Sequence, residues 1–408
     1  MKVIVEIFGK RIMIQLAEHD LCTGCGACMA VCAHDSITMQ SDAAGVLYPV
    51  INTNICKECH LCENRCPILK PVEGHRPRKS YACWNNIDSE RNTSASGGIA
   101  IAFYEDALKK GYVCVGASQN EDFTVTHKLA CSSVELKPFK NSKYVFSNAY
   151  EVFTKVKVLL KEGQKVIIIG IPCQIAAFRR LFPNKEHLLL VDIVCHGSTP
   201  VAYLQQHIAS LEQSLGYKAC RMSFRAPEKG TSTYHFTLYD EDGIPFYSKR
   251  SADGDSYNIG FHRSISYREN CYHCQFSCPE RVGDITLGDY HGLGILEPCS
   301  YSQEEVSVML INTEKGEQFA NELISSGAIH ADIRPIEEAI QGDLQLQRPS
   351  PKTSQRYDFE HFIVQNHMDF EKTMTKVLAL QQRREAIARY KELPNRVVRK
   401  ILKLLELR

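Results

Sequence analysis

The sequence predicts a mixed α+β or α/β fold in which a small cysteine-rich module precedes a larger domain. Three observations support this prediction. A four-cysteine spacing occurs twice between positions 1 and 70, apolar strands alternate with helices between Gln164 and Leu215, and 408 residues leave room for two or three domains. We expect the following organisation: a module over residues 1–70, a linker over 71–80, a mixed α/β domain in two parts over 81–155 and 156–345, and a helical extension over 346–408.

Composition limits the partners and the compartment. The net charge of +1 and the pI near 7.5 predict no attraction to nucleic acid or to an acidic membrane. No apolar run is long enough for a transmembrane segment, and the opening stretch MKVIVEIFGKRIMIQLAEHD lacks the features of a secretory signal, so we expect a cytoplasmic protein. Disulfides are disfavoured there, and the 18 cysteines therefore indicate metal ligation or thiol chemistry.

The N-terminal cysteines follow the spacing C-x2-C-x2-C-x3-C in both CTGCGACMAVC and CKECHLCENRCP. This is the spacing of bacterial two-cluster ferredoxins, in which three close thiolates hold one 4Fe-4S cluster and the fourth binds the other cluster. Two zinc knuckles are the alternative, but zinc takes four ligands and leaves the repeated eight-thiol spacing unexplained. In one respect the repeats differ, because Ala33 stands where the second has Pro67. The predicted ligand sets are Cys22, Cys25, Cys28 and Cys66 for one cluster, and Cys56, Cys59, Cys62 and Cys32 for the other.

A proline-rich and basic stretch, PILKPVEGHRPRKS, predicts the linker. Beyond it, NTSASGGIAIAF places a Ser-Gly-Gly turn before an apolar-periodic helix that ends near Gly111, with Ser94 or Ser96 as its predicted cap. Free amides at such a helix start suit a phosphate or pyrophosphate, and an ordinary capped helix is the alternative. The sequence contains no G-x-G-x-x-G, so a standard Rossmann site is unsupported.

Two strand-helix units follow, and each has a cysteine after its strand. The strands are predicted at Val166 to Gly170 and at Leu188 to Val194, followed by Cys173 and Cys195. In a parallel sheet, the loops after the carboxyl ends of the strands meet at one edge, so these two thiols are expected to lie close together. With the first two cysteines of CYHCQFSC they can form a third 4Fe-4S site; small buried hydrophobic side chains are the alternative. The predicted set is Cys173, Cys195, Cys271 and Cys274, and Cys278 is left over.

Several motifs occur together in one order: ASGGIA, SKYVFSN, IPCQIAAFRR, VDIVCHG, MSFRAPEKG, CYHCQF and RVGDITLGDY. This array resembles the beta-subunit family of coenzyme F420 hydrogenases and dehydrogenases, with a two-cluster ferredoxin module ahead of it. The resemblance runs from about Cys22 to Asp343. It implies one FAD and a 4Fe-4S cluster beside it, held by the same four cysteines. Its implied FAD-binding residues are Ser96, Gly97, Gly98, Lys143, Tyr144, Phe146 and Ser147, with Lys229 and Gly230 as additions.

The resemblance implies an FAD- and 4Fe-4S-dependent oxidoreductase. Iron-sulfur clusters carry single electrons, whereas a flavin can exchange two electrons as hydride. We therefore expect a relay between the clusters and FAD that reduces or oxidises coenzyme F420 or another organic substrate, with ferredoxin or a partner oxidoreductase subunit as redox partner. The alternatives are an electron-transfer beta subunit of a hydrogenase or dehydrogenase complex with no substrate of its own, and a zinc-bound interaction module.

The remaining polar candidates and the C-terminus have two readings each. His196 can deliver a proton or form a structural hydrogen bond, and Asp284 and Asp289 are expected to fix turns. His291 lies in Tyr-His-Gly, where relatives commonly have an aromatic residue and then tryptophan, and we expect that segment to line the substrate pocket. The C-terminal stretch QQRREAIARYKELPNRVVRKILKLLELR predicts a basic helix broken near Pro394. Its apolar positions can pack on their own domain or dock on a partner or membrane surface: Val397, Val398, Ile401, Leu402 and Leu405.

Overall fold

The computed structural model describes residues 14–405; from residue 390 onward it describes the backbone and a few exposed side chains. Residues 1–13 of the predicted module lie outside this range. The strands are β1 (Ile37–Ser41), β2 (Leu47–Ile51), β3 (Lys79–Asn85), β4 (Val113–Gln119), β5 (Val125–Ala130), β6 (Ser147–Asn148), β7 (Val166–Gly170), β8 (Leu188–Ile193), β9 (Arg221–Ser223), β10 (Phe236–Tyr239), β11 (Pro245–Lys249), β12 (Ile285–Asp289), β13 (Ser307–Ile311) and β14 (Ile329–Arg334). The helices are α1 (Ala27–Val31), α2 (Leu61–Asn64), α3 (Asp88–Thr93), α4 (Ile99–Lys109), α5 (Ser133–Leu136), α6 (Tyr150–Lys161), α7 (Pro172–Leu181), α8 (Val201–Leu215), α9 (Ser256–His262), α10 (Glu269–Tyr272), α11 (Glu314–Ser325), α12 (Ile336–Gly342), α13 (Ser354–Gln365) and α14 (Phe370–Leu405).

A mixed sheet forms the centre of the protein. Within residues 14–405 it has nine strands in the order β14-β3-β13-β12-β8-β7-β4-β5-β6. Strands β12, β8, β7 and β4 pair in parallel, whereas β13, β3 and β14 continue the sheet in antiparallel pairs. The mixed α/β fold is thereby confirmed. Because β3 begins at Lys79 and pairs with β13, the predicted linker and both predicted parts of the domain contribute to one sheet.

Helices cover both faces of this sheet. Ile167 and Ile169 point to the face that packs against α4 and α11, whereas Val166 and Ile168 point to the face covered by α6 and α7. This alternation follows from the two-residue period of a strand, and burial on both faces explains the continuous apolar sequence of β7. The result is a three-layer arrangement around the strand ends that carry the predicted site residues.

The start of α4 differs from the prediction. Neither Ser94 nor Ser96 caps it, because the helix begins after Gly98, which has a left-handed backbone with φ of 71°. The Ser96 hydroxyl instead donates to the carbonyl of Val306 at 3.0 Å, so it joins the turn to the neighbouring strand. Gly97 lies against the same sheet, where a Cβ would be 2.6 Å from the Cys83 carbonyl oxygen. The close approach of the turn to the sheet explains both glycines.

A second apolar core lies under a small antiparallel sheet, ordered β11-β10-β9. Helix α14 packs there through Phe370, Met374 and Val377, all fully buried. The predicted break at Pro394 is wrong, because α14 continues to Leu405; one proline removes a single backbone hydrogen bond and bends a helix without having to end it. Among the described residues, none of the helices combines the length and the apolar character needed to cross a membrane. The side chains of Val398, Ile401, Leu402 and Leu405 lie outside the described ones.

Candidate functional site

The structure brings the N-terminal cysteines together in the two sets that their spacing predicts. One cavity is lined by Cys22, Cys25, Cys28 and Cys66, and a second by Cys32, Cys56, Cys59 and Cys62. The last cysteine of each run therefore lies with the other run. Short helices produce this arrangement, since α1 carries Cys28 and α2 carries Cys62 within single turns.

The thiols of these sets are unfavourable as free ions. Burial raises the pKa of Cys25 to about 12, and it also raises the pKa values of Cys22 and Cys28. Burial acts to raise the pKa of Cys32 as well, but hydrogen bonds from the hydroxyl and the N–H of Ser36 outweigh it and lower that pKa. A bound cation is therefore needed to hold the buried sulfurs as thiolates, which is the charge that iron supplies.

The third predicted set also converges. Cys173 lies in the first turn of α7, Cys195 follows β8, and Cys271 and Cys274 lie in and after α10; all four line one cavity. Burial raises the pKa values of Cys173, Cys195 and Cys271. Cys278 is not among the lining residues, and its thiol donates to the Glu280 carbonyl at 3.2 Å.

A buried ion pair fastens the loop that carries Cys271 and Cys274. The Arg281 guanidinium donates to Asp192 at 2.7 Å, and both side chains are at most 1% exposed. Arg281 also donates to the carbonyls of Phe276 and Cys278, while Asp192 accepts from the N–H of Gly283. Because Asp192 belongs to β8, the pair holds the loop against the strand that ends at Cys195.

Arg268 lies between the first and the third cysteine sets. It is 2% exposed, lines the third cavity, and donates to the Thr23 carbonyl at 3.0 Å within the first set. Its guanidinium lies 4.1 Å above the ring of Phe146, and its Nε and Nη2 have no hydrogen-bond partner among the described residues. A buried cation without a carboxylate is costly, so anionic groups are expected in the two cavities beside it.

A further cavity, of about 190 Å³, adjoins the third set, with which it shares Ile171, Gly197 and Ser198. It lies at the carboxyl ends of the parallel strands β7 and β8, where ligands bind in open α/β sheets. Its wall contains buried polar atoms without hydrogen-bond partners among the described residues, so it fits a polar ligand. These atoms are Ser94 Oγ, His127 Nδ1 and Nε2, Asn141 Oδ1 and Gln174 Oε1.

Three of the predicted FAD-binding residues, Gly98, Lys143 and Ser147, line this cavity. The others do not. Tyr144 stacks on Phe261 with ring centroids 4.4 Å apart. The remaining positions are Ser96 and Gly97 against the sheet, Phe146 beside Arg268, and Lys229 and Gly230 at an exposed short turn.

Sequence reasoning missed His127 and passed over Gln174 as a cavity residue. Gln174 Nε2 donates to the carbonyl of Ser147 at 2.7 Å, and this bond joins α7 to β6. Burial lowers the pKa of His127 to about 4, so its ring is neutral at the cavity wall. The motif IPCQI was a usable signal for Gln174, whereas a histidine inside strand β5 carries none.

The two aspartates predicted to fix turns have other roles. Asp284 accepts the N–H of Leu190 on another strand at 2.9 Å and pairs with Arg179. Asp289 forms a two-point ion pair with buried Arg225 at 2.9 and 3.0 Å. Both carboxylates join distant segments of the domain. His291, predicted to line a pocket, does line a cavity of about 140 Å³ beside this pair.

Two family models match the chain. The model for the C terminus of the coenzyme F420 hydrogenase/dehydrogenase beta subunit matches residues 163–337, and the model described as "4Fe-4S dicluster domain" matches residues 21–68. The chain is 22% identical to the F subunit of the F420H2 dehydrogenase of Methanosarcina mazei over 82% of this chain and 91% of that protein. An uncharacterised protein of Methanocaldococcus jannaschii is 22% identical over 44% of this chain and 58% of its own length.

Among solved structures, a chain of the xenon-derivatised F420-reducing NiFe hydrogenase complex of Methanosarcina barkeri aligns with a TM-score of 0.41 and 16% identity. The alignment covers 78% of this chain and 95% of that one. The two family models and the curated relative agree on the order of the parts, with the dicluster domain first. The chain therefore belongs to the coenzyme F420 hydrogenase/dehydrogenase beta-subunit family, with a 4Fe-4S dicluster domain ahead of the family's C-terminal domain.

Proposed function

We propose that this chain is an FAD- and 4Fe-4S-dependent oxidoreductase that relays electrons between a redox partner and an organic hydride donor or acceptor. The observation that carries the proposal is the convergence of Cys173, Cys195, Cys271 and Cys274 beside the cavity of unpaired polar atoms. Four thiols fit a third cluster, and the adjoining cavity fits FAD. When bound, these groups supply single-electron transfer and two-electron hydride exchange respectively. The substrate is coenzyme F420, as the curated relative's name indicates, or a similar organic molecule.

The residues around the cavities set the order of the relay. Arg268 touches the backbone of the first cysteine set and lines the cavity of the third, so these two are neighbours along the path. Ile171, Gly197 and Ser198 then separate the third set from the proposed FAD cavity by the thickness of a shared wall. Electrons from an external partner therefore enter at the dicluster domain and leave at the flavin, or move in the opposite direction.

Cofactor content tests this proposal directly. Chain prepared without oxygen and fully loaded is expected to contain about twelve iron atoms, at four per cluster, together with one FAD. Zinc in place of iron would support the interaction module, and about eight irons would exclude the third cluster. Reduction of the bound flavin by a hydride donor in the isolated chain separates an enzyme with its own substrate from a subunit that only transfers electrons.

Lys143 predicts a pH dependence for FAD binding. Its Nζ donates to the carbonyls of Pro138 and Lys140, both at 2.8 Å, and burial lowers its pKa to about 7. A bound diphosphate favours the charged amine and raises this pKa again. Affinity for FAD is therefore expected to be highest below pH 7 and to fall above it, by at most about tenfold per pH unit, until the pKa of the complex is passed.

Fluorescence titration of FAD on either side of neutral pH measures this dependence. In Lys143→Gln the affinity is expected to be low and insensitive to pH, because the titrating amine is gone. Lys229→Gln is the matched control, since Lys229 is exposed and does not line the cavity. If the Lys143 variant keeps the slope of the original chain, the lysine does not contact the cofactor.

Arg268 predicts a change in redox potential. Removing its positive charge in Arg268→Gln is expected to make reduction of the clusters beside it less favourable, by about 1–2 kcal/mol per electron at an effective dielectric constant near 20. Redox titration followed by electron paramagnetic resonance measures this shift. Arg263→Gln, an exposed arginine in the same segment, is expected to leave the potentials unchanged. Equal potentials in both variants would remove Arg268 from the relay.

A further inference from the structure

A group of side chains beside the third cysteine set has no part in the relay described above. Nitrogen or oxygen atoms of His196, His291 and Asp343 lie within 4.8 Å of one another. His196 follows β8, His291 follows β12, and Asp343 precedes a short 3-10 turn at Leu344–Leu346. Three segments that are distant in sequence therefore direct three metal-binding types of side chain to one point.

Asp343 lacks a compensating charge in the described part of the chain. Its side chain is buried, with 5% exposed, and Oδ1 accepts the N–H of Gln345 at 2.9 Å. No lysine, arginine or histidine among residues 14–405 lies within ion-pair distance of it. Because a buried carboxylate is costly without a cation, the position is suited to a bound metal ion.

The surrounding contacts hold the ligands in place. The Ser350 hydroxyl donates to the carbonyl of His196 at 3.0 Å, which ties the end of β8 to the segment that carries Asp343. The rings of His196 and His291 have centroids 6.2 Å apart and planes at 80°, so they do not stack and both can direct a nitrogen to the same ion. Hydrogen bonds of this kind, made by or beside the ligands, orient metal-binding side chains.

We propose that His196, His291 and Asp343 bind one divalent first-row transition metal ion, with at least one coordination position open. Two imidazoles and one carboxylate are a ligand set of catalytic zinc sites and of non-haem iron sites, which keep a position free for water or substrate. His291 also lines the cavity of about 140 Å³ with Arg225, Tyr234 and Asp289, so this cavity is where an oxygen atom of a small molecule can reach the ion. The metal site itself does not depend on the proposed relay.

Zinc alone is the probe, added to the iron-loaded chain so that the cysteines are already occupied. After equilibrium dialysis, the original chain is expected to retain one more zinc per chain than either His291→Ala or Asp343→Asn, with iron content equal in all three. His187→Ala, which removes an exposed imidazole elsewhere, is expected to retain as much zinc as the original chain. Equal iron shows that the variants are folded and keeps this result separate from the fate of the relay.

Either of two results would overturn the proposal. One is an original chain that retains no zinc, and the other is equal zinc in the original chain and in both variants with iron unchanged. If one variant loses iron, the second variant decides, since Asp343 and His291 lie on different segments.

Discussion

Replacing Cys274 by alanine is expected to reduce the iron of the anaerobically prepared chain from about twelve atoms to about eight, at four per cluster. The reason is geometric, since Cys274 lines one cavity with Cys173, Cys195 and Cys271, and the two N-terminal sets have separate cavities. Iron analysis and the visible absorbance spectrum measure the loss. Reduction of the flavin by an external iron-sulfur donor is expected to become much slower, because the set beside the flavin cavity no longer holds a cluster.

Cys278→Ala is the matched control, four positions further along the same loop. Its thiol does not line the cavity and donates to the Glu280 carbonyl, so the variant is expected to keep all of its iron. The opposite pattern, with iron lost from Cys278→Ala and kept in Cys274→Ala, would show that the assignment of the fourth ligand is wrong. Equal loss in both variants would indicate that the loop, and not one ligand, had been disrupted.

The second large effect concerns stability. Arg281→Met is expected to lower the free energy of unfolding by about 3–5 kcal/mol, because it leaves the Asp192 carboxylate buried without its partner. It also leaves the carbonyls of Phe276 and Cys278 without the guanidinium that now donates to them. Denaturant unfolding followed by circular dichroism measures the change. Since these contacts hold the loop of the third cysteine set, iron retention is expected to fall in the same variant.

Arg76→Met is the matched control for the loss of an arginine. Arg76 forms ion pairs with Glu280 and Glu337, but its side chain is 56% exposed, so the expected change is below about 1 kcal/mol. The double variant Arg281→Met, Asp192→Leu is expected to lose less stability than the sum of the two single variants, because no charge is left unpaired. Similar destabilisation in Arg76→Met and Arg281→Met would contradict the role of the buried pair.

Local sequence patterns were sufficient for several elements. The strand predicted at Val166 to Gly170 is confirmed over those residues, and the helices after Cys173 and Cys195 are confirmed as α7 and α8. Two local predictions were wrong. Ser96 does not cap α4 because the turn is drawn toward the sheet, and Pro394 does not end α14 because a single missing hydrogen bond leaves the helix on both sides intact.

By itself, the sequence determined the cysteine spacings and the alternation of strands and helices, because both depend on residues a few positions apart. Only the tertiary structure decided which distant groups meet. Arg268 reaches the carbonyl of Thr23 across 245 positions, and His196, His291 and Asp343 converge from three segments. The physical reason is that such contacts depend on the order and direction of strands in the sheet, which bring together loops whose own sequences contain no sign of their neighbours.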